Sequence, residues 1–577
     1  MEKRFLLAIA LSFAILFVYQ YYIERQQRDY RRQHPESVSS RPPTSAVPPT
    51  EIPQPAARGS EAAPPGELER GGAAAMLSQD LVEASSPCSE LVVDAPLYRA
   101  VFCAQSGRLM SWRLKKYRTS EKCSCEIPGV RAILGGAKVS KAKDPAGTTS
   151  GELIERVHVK SPVDLPLGLE VVGEGLRKPL ATSLSPDRHD LDVTETGPRR
   201  VSFVGQTPIG GLIRKTFAFS PESYLVHLTV EIEDVRPEFH DLSIALVLTE
   251  SAREGGGDKY SFSGFMGLVD GSLVKDDPKK IAKEALYHAG RVDWAGFSDK
   301  YFLTGVLPFN NPLTSVKVER IREGVLASSV VYNIRPHLDG TKAVFEYDLY
   351  IGPKDMDVLK KTGYGLERSL DLGWFGPIAK PLLVILKLFN RYTHNYGLAI
   401  IILTIVIKIL FHPLTRKQYA SMKQMQKLQP KMQAIREKFK DDRERMNKEI
   451  MDLYRTHKIN PLSGCWPMLL QIPVFFALYK ALLNSIELRQ APFFLWIRDL
   501  SDKDPCYITP LVMGASMFVQ QKMTPAAGDP AQQKMMMFMP LIFTVMFLNF
   551  PSGLVVYWLV NNIISIGQQY FAQREGR

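Results

Sequence analysis

Residues 396–413 read YGLAIIILTIVIKILFHP, an apolar run long enough to cross a bilayer with a cation, Lys408, inside it. As a helix the stretch from Tyr396 to His412 covers roughly 25 Å, slightly short for a span. A lysine near the centre of such a helix costs about 2.5–3.5 kcal/mol on insertion scales, so a cation kept there faces protein or water and marks a functional position. Thr404, Lys408 and His412 recur every four residues and share one helix face, with Gly397 roughly above them. The competing reading is a lysine that snorkels to the nearer headgroups, since Pro413 follows five residues later. Thr404, one turn deeper on the same face, favours a polar cavity instead.

Of the 577 residues 45% are hydrophobic, and their long runs are offset by polar regions, which bounds the chain to a membrane protein of several parts. The net charge of +12 raises nucleic acid as a partner. However, thirteen Lys and Arg against six Asp and Glu lie between Pro413 and Pro461, beside the apolar run, which fits the positive-inside rule and argues against specific nucleic-acid binding. The six cysteines (Cys88, Cys103, Cys123, Cys125, Cys465 and Cys506) are compatible with disulfides outside the cytoplasm, in a connectivity that spacing does not reveal. Cys123-Ser-Cys125 is too close and too isolated for a zinc site, and no metal or cofactor is expected.

Taken in order, residues 1–24 carry a basic start and an apolar stretch with Gln20-Tyr-Tyr-Ile-Glu-Arg where a small-residue cleavage site would stand, so an uncleaved signal-anchor helix is expected. Residues 25–76, with RPPT at Arg41 and APPG at Ala63, form a Pro-rich disordered linker. Over 77–355 the apolar period is two: Val226, Leu228, Val230 and Ile232 alternate with His227, Thr229 and Glu231, and similar runs follow at 242–248, 325–334 and 343–351. An antiparallel β-sandwich follows, with His227 a solvated strand residue. Over 356–395 the pattern turns helical: a connecting helix at 356–370, then an amphipathic helix at 375–389 with Ile378, Leu382, Ile385, Leu386 and Phe389 on one side, suited to the membrane interface.

Residues 396–577 read as a core of five transmembrane helices with a helical hairpin at 414–460. Met425, Leu428, Met432, Ile435 and Phe439 form a thin apolar seam, Asp441 with Glu444 is a candidate capping box for the second arm, and Pro413, Pro430 and Pro461 are expected to loosen the hairpin from the spans. Apolar segments at 466–483, 507–521, 536–550 and 553–566 bring the expected count to six spans with the anchor. Both termini are then cytoplasmic with the basic hairpin, and the β domain and the acidic loop 484–506 lie outside. Gln471, Tyr557, Asn561 and Asn562 place polar groups at membrane depth, where with Thr404 and Lys408 they line a wet hollow. No second buried acid pairs with Lys408, which argues against a proton relay.

At RKQYASM from Arg416, LQPKMQA from Leu428, INPLSGC from Ile459, ELRQAPF from Glu487 and FPSGL from Phe550 the sequence resembles the YidC family of bacterial membrane-protein insertases in its Gram-negative form. The resemblance implies a periplasmic β-supersandwich and an inner-membrane insertase and chaperone. Such a protein moves nascent transmembrane segments from the cytoplasm through a hydrophilic groove, alone or with the Sec translocon, without nucleotide hydrolysis. It implies substrate contact at Thr404, Lys408, Gln471, Phe475, Tyr557 and Trp558, with Lys408 where the family has an arginine; the charge is kept and the bidentate fork is lost. Met425 and Met432 in the hairpin are expected to meet clients. Membrane lipids are implied partners, and ribosome contact through a basic tail is doubtful because the chain stops at Gln573-Arg-Glu-Gly-Arg577. A solute transporter built on Lys408 predicts an inverted repeat, which is not visible. A membrane enzyme needs paired catalytic groups at depth, where only His412 and Cys465 come close.

Overall fold

The computed structural model describes residues 88–119, 125, 151–457 apart from breaks at 160, 174–175, 181–182, 195–198, 208, 252–261, 310–312 and 441, and then 466–524 and 530–574. The expected signal anchor at 1–24, the linker at 25–76 and Pro461 lie outside the described residues.

Alternation builds the β domain. In the strand Leu225–Ile232 the residues Val226, Leu228, Val230 and Ile232 are buried while His227, Thr229 and Glu231 are half-exposed. This strand pairs antiparallel with Leu212–Ala218 on one side and Lys342–Pro353 on the other, inside a 15-stranded sheet. The strand Leu286–Ser298 serves three neighbours: its first half pairs with Leu313–Arg322, and its second half with Gly264–Val269 and with Phe302–Pro308. Its register shifts between Ala289 and Val292, where Gly290 has φ 132° and a Cβ would meet the Asp270 carboxylate at 2.2 Å; only glycine fits that bend. A five-stranded sheet packs on the larger one through Phe102 against Phe217, ring centroids 4.8 Å apart. Against the wholly antiparallel expectation, Glu90–Asp94 pairs parallel with Asp190–Asp192, a three-residue strand reached only after a long excursion of the chain.

His227 also differs from its expected solvated state. Its Nδ1 lies 2.9 Å from Asp348 Oδ1. The two residues stand directly opposite on paired strands, and that proximity turns a half-exposed position into an ion-pair site.

Asp299 organises the turn between Leu286–Ser298 and Phe302–Pro308. It accepts from Arg156 Nη1 at 2.5 Å and from the N–H groups of Tyr301 and Phe302 at 2.9 and 2.8 Å. Burial alone would raise this carboxyl, but Arg156, Lys354 and the two N–H groups outweigh it and pull it down to about 2. Burial pulls Lys354 the other way, down to about 8, against the attraction of Asp299 and Asp371. A depressed carboxylate contributes stability above its unfolded value, about 4, and loses it as pH falls through about 2. Asp299→Asn is therefore expected to cost roughly 3 kcal/mol at neutral pH, because Arg156 is left buried and unpaired. It should also flatten the acid limb of unfolding between about pH 4 and 2. Tryptophan fluorescence against pH on both proteins checks this, and parallel acid limbs would refute it.

Helix α1 (Met356–Thr362) is N-capped by Asp355, which accepts from the N–H groups of Asp357 and Val358. The expected single helix over 356–370 breaks after it: Gly363, Tyr364 and Gly365 all take positive φ, and a short 3-10 turn, Leu366–Leu370, follows. Helix α2 (Gly376–Thr393) buries Ala379, Leu382, Leu383 and Leu386. Ile378, expected on that face, is exposed with Val384 and Leu388. Lys387 lies 2.5 Å from Glu487, 2.9 Å from Asp357 and 3.5 Å from Asp355, so it ties α2 to α1 and to the loop over 484–506.

Helix α3 (Tyr396–Lys438) runs unbroken for 43 residues through Pro413 and Pro430. The expected loosening at these prolines is not found: each removes one N–H, and a helix this long, held by neighbours at its first half, absorbs that loss. Helix α4 (Arg443–Thr456) folds back as the second hairpin arm, and its cap is Asp442, which accepts from Arg445 N, rather than Asp441. Helices α5 (Trp466–Asn484), α6 (Ile508–Met523), α7 (Pro530–Phe547) and α8 (Ser552–Arg574) complete the chain. The first part of α7, 530–539, belongs to a separate compact unit; in the main unit Thr544 meets α6 at Gly514, where a Cβ would come within 2.0 Å of its hydroxyl.

Among the described residues only α3 is long and apolar enough by itself to qualify as a membrane span, with a shorter apolar helix at Met536–Phe547. The expected six spans are thus not established by helix length. At 16 residues α6 covers roughly 24 Å. Among the described residues α8 interrupts its apolar sequence with Asn561, Asn562, Gln568 and Gln569.

Candidate functional site

Two polar stripes meet where α3 lies beside α8. On α3 they are Thr404, Lys408 and His412; on α8 they are Tyr557, Asn561, Ser565 and Gln569, again four residues apart. Four-residue spacing keeps each stripe on one face, and the apolar residues between them drive the two helices together with those faces inward. Lys408 is buried at 8% exposure and its Nζ donates to Ser565 Oγ at 2.7 Å. Ser565 Oγ in turn donates to Asn561 O at 2.7 Å, and Tyr419 OH donates to Ser565 O at 3.2 Å.

From Asn561 the network crosses to α5. Gln471 Nε2 donates to Asn561 Oδ1 at 3.1 Å. On the far side of α8, Asn562 Nδ2 donates to Ser516 Oγ of α6 at 3.1 Å. The polar groups of α5, α6 and α8 are thus spent holding helices to one another, and Lys408 is held at one end of the chain of bonds.

An ammonium has three donors and Ser565 takes one. Among the described residues no carboxylate forms an ion pair with Lys408. The lysine lines a cleft of about 330 Å³ shared with Ile405, Ile409, His412, Pro413, Ile564 and Gln568. The cleft therefore offers a cation, an imidazole and an amide among apolar walls, an arrangement that attracts and holds negative charge beside an apolar chain.

The other expected site residues divide. Thr404 is buried but its hydroxyl donates to Ile400 O one turn back at 2.7 Å, so it serves its own helix. Phe475 and Trp558 stack edge to face at 4.8 Å, and Trp558 also meets Phe547 at 5.1 Å, forming an aromatic cluster beside Tyr557 rather than part of the polar chain. Met425 is half-buried on α3. Met432 is buried between the hairpin arms, where Tyr454 OH donates to its Sδ at 3.4 Å. A thin apolar seam on one arm is covered first by the apolar residues of the other. Ser565 was missed by the sequence reading; the i, i+4 recurrence from Tyr557 through Asn561 and Ser565 to Gln569 was the available signal.

The 60Kd inner membrane protein family model matches residues 388–577, and the YidC periplasmic domain model matches residues 167–385. A membrane protein insertase YidC of Syntrophus aciditrophicus (strain SB) is 41% identical over 588 residues, covering 100% of both chains. That of Geotalea daltonii is 39% identical over 578 residues, covering 100% of this chain and 99% of its own. Among solved structures, an active YidC insertase crystal structure with the first transmembrane domain resolved is similar at 17% identity and a TM-score of 0.35, covering 86% of this chain and 96% of that one.

Proposed function

This chain belongs to the YidC family of inner-membrane proteins with a periplasmic domain, and from that premise we propose that it inserts nascent transmembrane segments from the cytoplasm into the inner membrane. The observation that carries the reading is the buried Lys408, with no carboxylate paired to it among the described residues, in a mainly apolar cleft that it shares with His412 and Gln568. A client's polar flank crossing hydrocarbon leaves backbone groups unsatisfied at several kcal/mol each. A hydrated groove reaching partway into the membrane shortens that path, Lys408 attracts acids in the flank, and the apolar segment slides along the helices into lipid. Lowering a barrier in this way needs no covalent catalysis.

Six spans, with the anchor, fit this reading. Ile409 and Leu410 of α3, Leu511 and Phe518 of α6, and Leu541, Ile542 and Val545 of α7 point outward from their helices, a distribution suited to lipid contact. The substrate-contacting set is Lys408, Gln471, Phe475, Tyr557 and Trp558, with Thr404 backing the lysine and Met425 receiving clients at the hairpin. The basic hairpin lies on the cytoplasmic side near anionic headgroups, and the Sec translocon and the ribosome are partners for some clients.

Reconstitution tests the function directly. Proteoliposomes carrying the full chain and a single-span client should protect the client's translocated flank from external protease. Protection no greater than in protein-free liposomes would sink the reading.

A further inference from the structure

We propose that a Cys125–Cys506 disulfide, installed by a disulfide-donating partner outside the cytoplasm, clamps the β domain onto the outer ends of the helices that form the site. The two cysteines are 381 residues apart in sequence and joined with Cα atoms 4.9 Å apart. Cys125 follows the β strand Leu109–Arg118; Cys506 sits at the end of the loop between α5 and α6. Independent contacts bring the same two regions together. Arg489 of the loop donates to Arg118 O, and Gln490 Nε2 donates to Thr119 O at 3.0 Å.

The loop transmits that attachment to the site helices. Asp504 is fully buried and accepts from Cys506 N at 2.8 Å, from Thr509 N in the first turn of α6 at 2.7 Å and from Trp496 Nε1 at 3.2 Å. Two residues earlier, Asp502 O accepts from Ser552 N at 2.7 Å, and Leu500 O accepts from Gly553 N at 2.9 Å, where α8 begins. Lys387 holds Glu487 at the start of the loop. One covalent bond therefore fixes the β domain to the outer ends of α6 and α8, and α8 carries Tyr557, Asn561 and Ser565. Hydrogen bonds open and re-form singly, whereas a disulfide keeps the two surfaces in register through each opening.

Formation is a two-electron exchange. The thiolate of one cysteine attacks the donor's disulfide, the second cysteine displaces the donor thiol, an S–S bond forms, and the donor leaves with two thiols. Cys506 is 2% exposed once the domain is seated, so exchange precedes or accompanies docking. The placement of both sulfurs outside the cytoplasm rests on the topology proposed above.

The test uses the full chain with a protease site engineered between Thr456 and Trp466. After cleavage the two fragments should stay joined on a non-reducing gel and separate with reductant. The link should vanish in Cys125→Ser and in Cys506→Ser and persist in the Cys88→Ser/Cys103→Ser variant, which removes the other disulfide, Cys88–Cys103. The Cys88→Ser/Cys103→Ser chain from cells lacking the disulfide donor should lose the link and melt roughly 5–10 °C below the same chain from cells that have it, with slower insertion. Fragments that separate without reductant, or a link that survives Cys506→Ser through Cys465 or Cys125→Ser through Cys123, would overturn the assignment. A link whose loss leaves melting and insertion unchanged would overturn the clamp. The gel and melting measurements need no insertase activity, so a failure of the insertase reading is seen separately.

Discussion

Lys408→Ala is expected to slow insertion of clients with Asp or Glu in the translocated flank by roughly ten- to a hundred-fold, the range that follows when a hydrogen bond to a charged group, worth about 1.5–3 kcal/mol, is lost. Clients with a neutral flank should be slowed far less, because they lose only hydration of the cleft. The lysine is buried, lines the cleft with His412 and Gln568, and spends one donor on Ser565, and among the described residues no carboxylate pairs with its charge. Lys408→Arg keeps the charge and should stay within a few-fold of wild type for both client types. The measurement is the protease-protected fraction against time in proteoliposomes. Equal rates for Lys408→Ala and wild type on acidic clients would mean that the lysine merely snorkels.

Gly397→Val is expected to destabilise the N-terminal end of α3 by roughly 3 kcal/mol, the upper range for forcing a methyl group into a packed contact. A Cβ at Gly397 would stand 1.9 Å from Cδ2 of Phe493, so the ring that covers the glycine must leave. The backbone of that residue makes two bonds, Phe493 N to Ile497 O at 3.0 Å and Asn395 Nδ2 to Phe493 O at 3.3 Å, and Asn395 also caps α3 through Leu398 N. Displacing Phe493 therefore disturbs the helix start as well as the loop. Melting of the detergent-solubilised protein reads the loss. Adding Phe493→Ala to Gly397→Val should recover part of it, because the intruding group then has room; strict additivity of the two changes would show that they do not share a contact.

Periodicity alone determined the strands with clean alternation and the helices with a clear apolar face. Val226, Leu228, Val230 and Ile232 are buried because a pleat offers only two sides, and that choice is local. The cation in an apolar run was equally legible, since the cost of burying Lys408 holds whatever surrounds it. Local signals misled where the outcome depended on a neighbour. Pro413 and Pro430 read as breaks but sit inside one helix. His227 read as solvated until Asp348 came opposite it through strand pairing.

The chain by itself, then, specified its β-rich and helical regions, its basic hairpin and the polar stripe of α3, because propensity, period and charge act over a few residues. Only the tertiary structure decided which donor meets which acceptor. Ser565 and Lys408 are 157 residues apart and Cys125 and Cys506 381 apart, and no spacing rule spans such distances. A cysteine or a serine carries no directional signal along the chain, and its partner is selected by whichever element packing brings within a few ångströms.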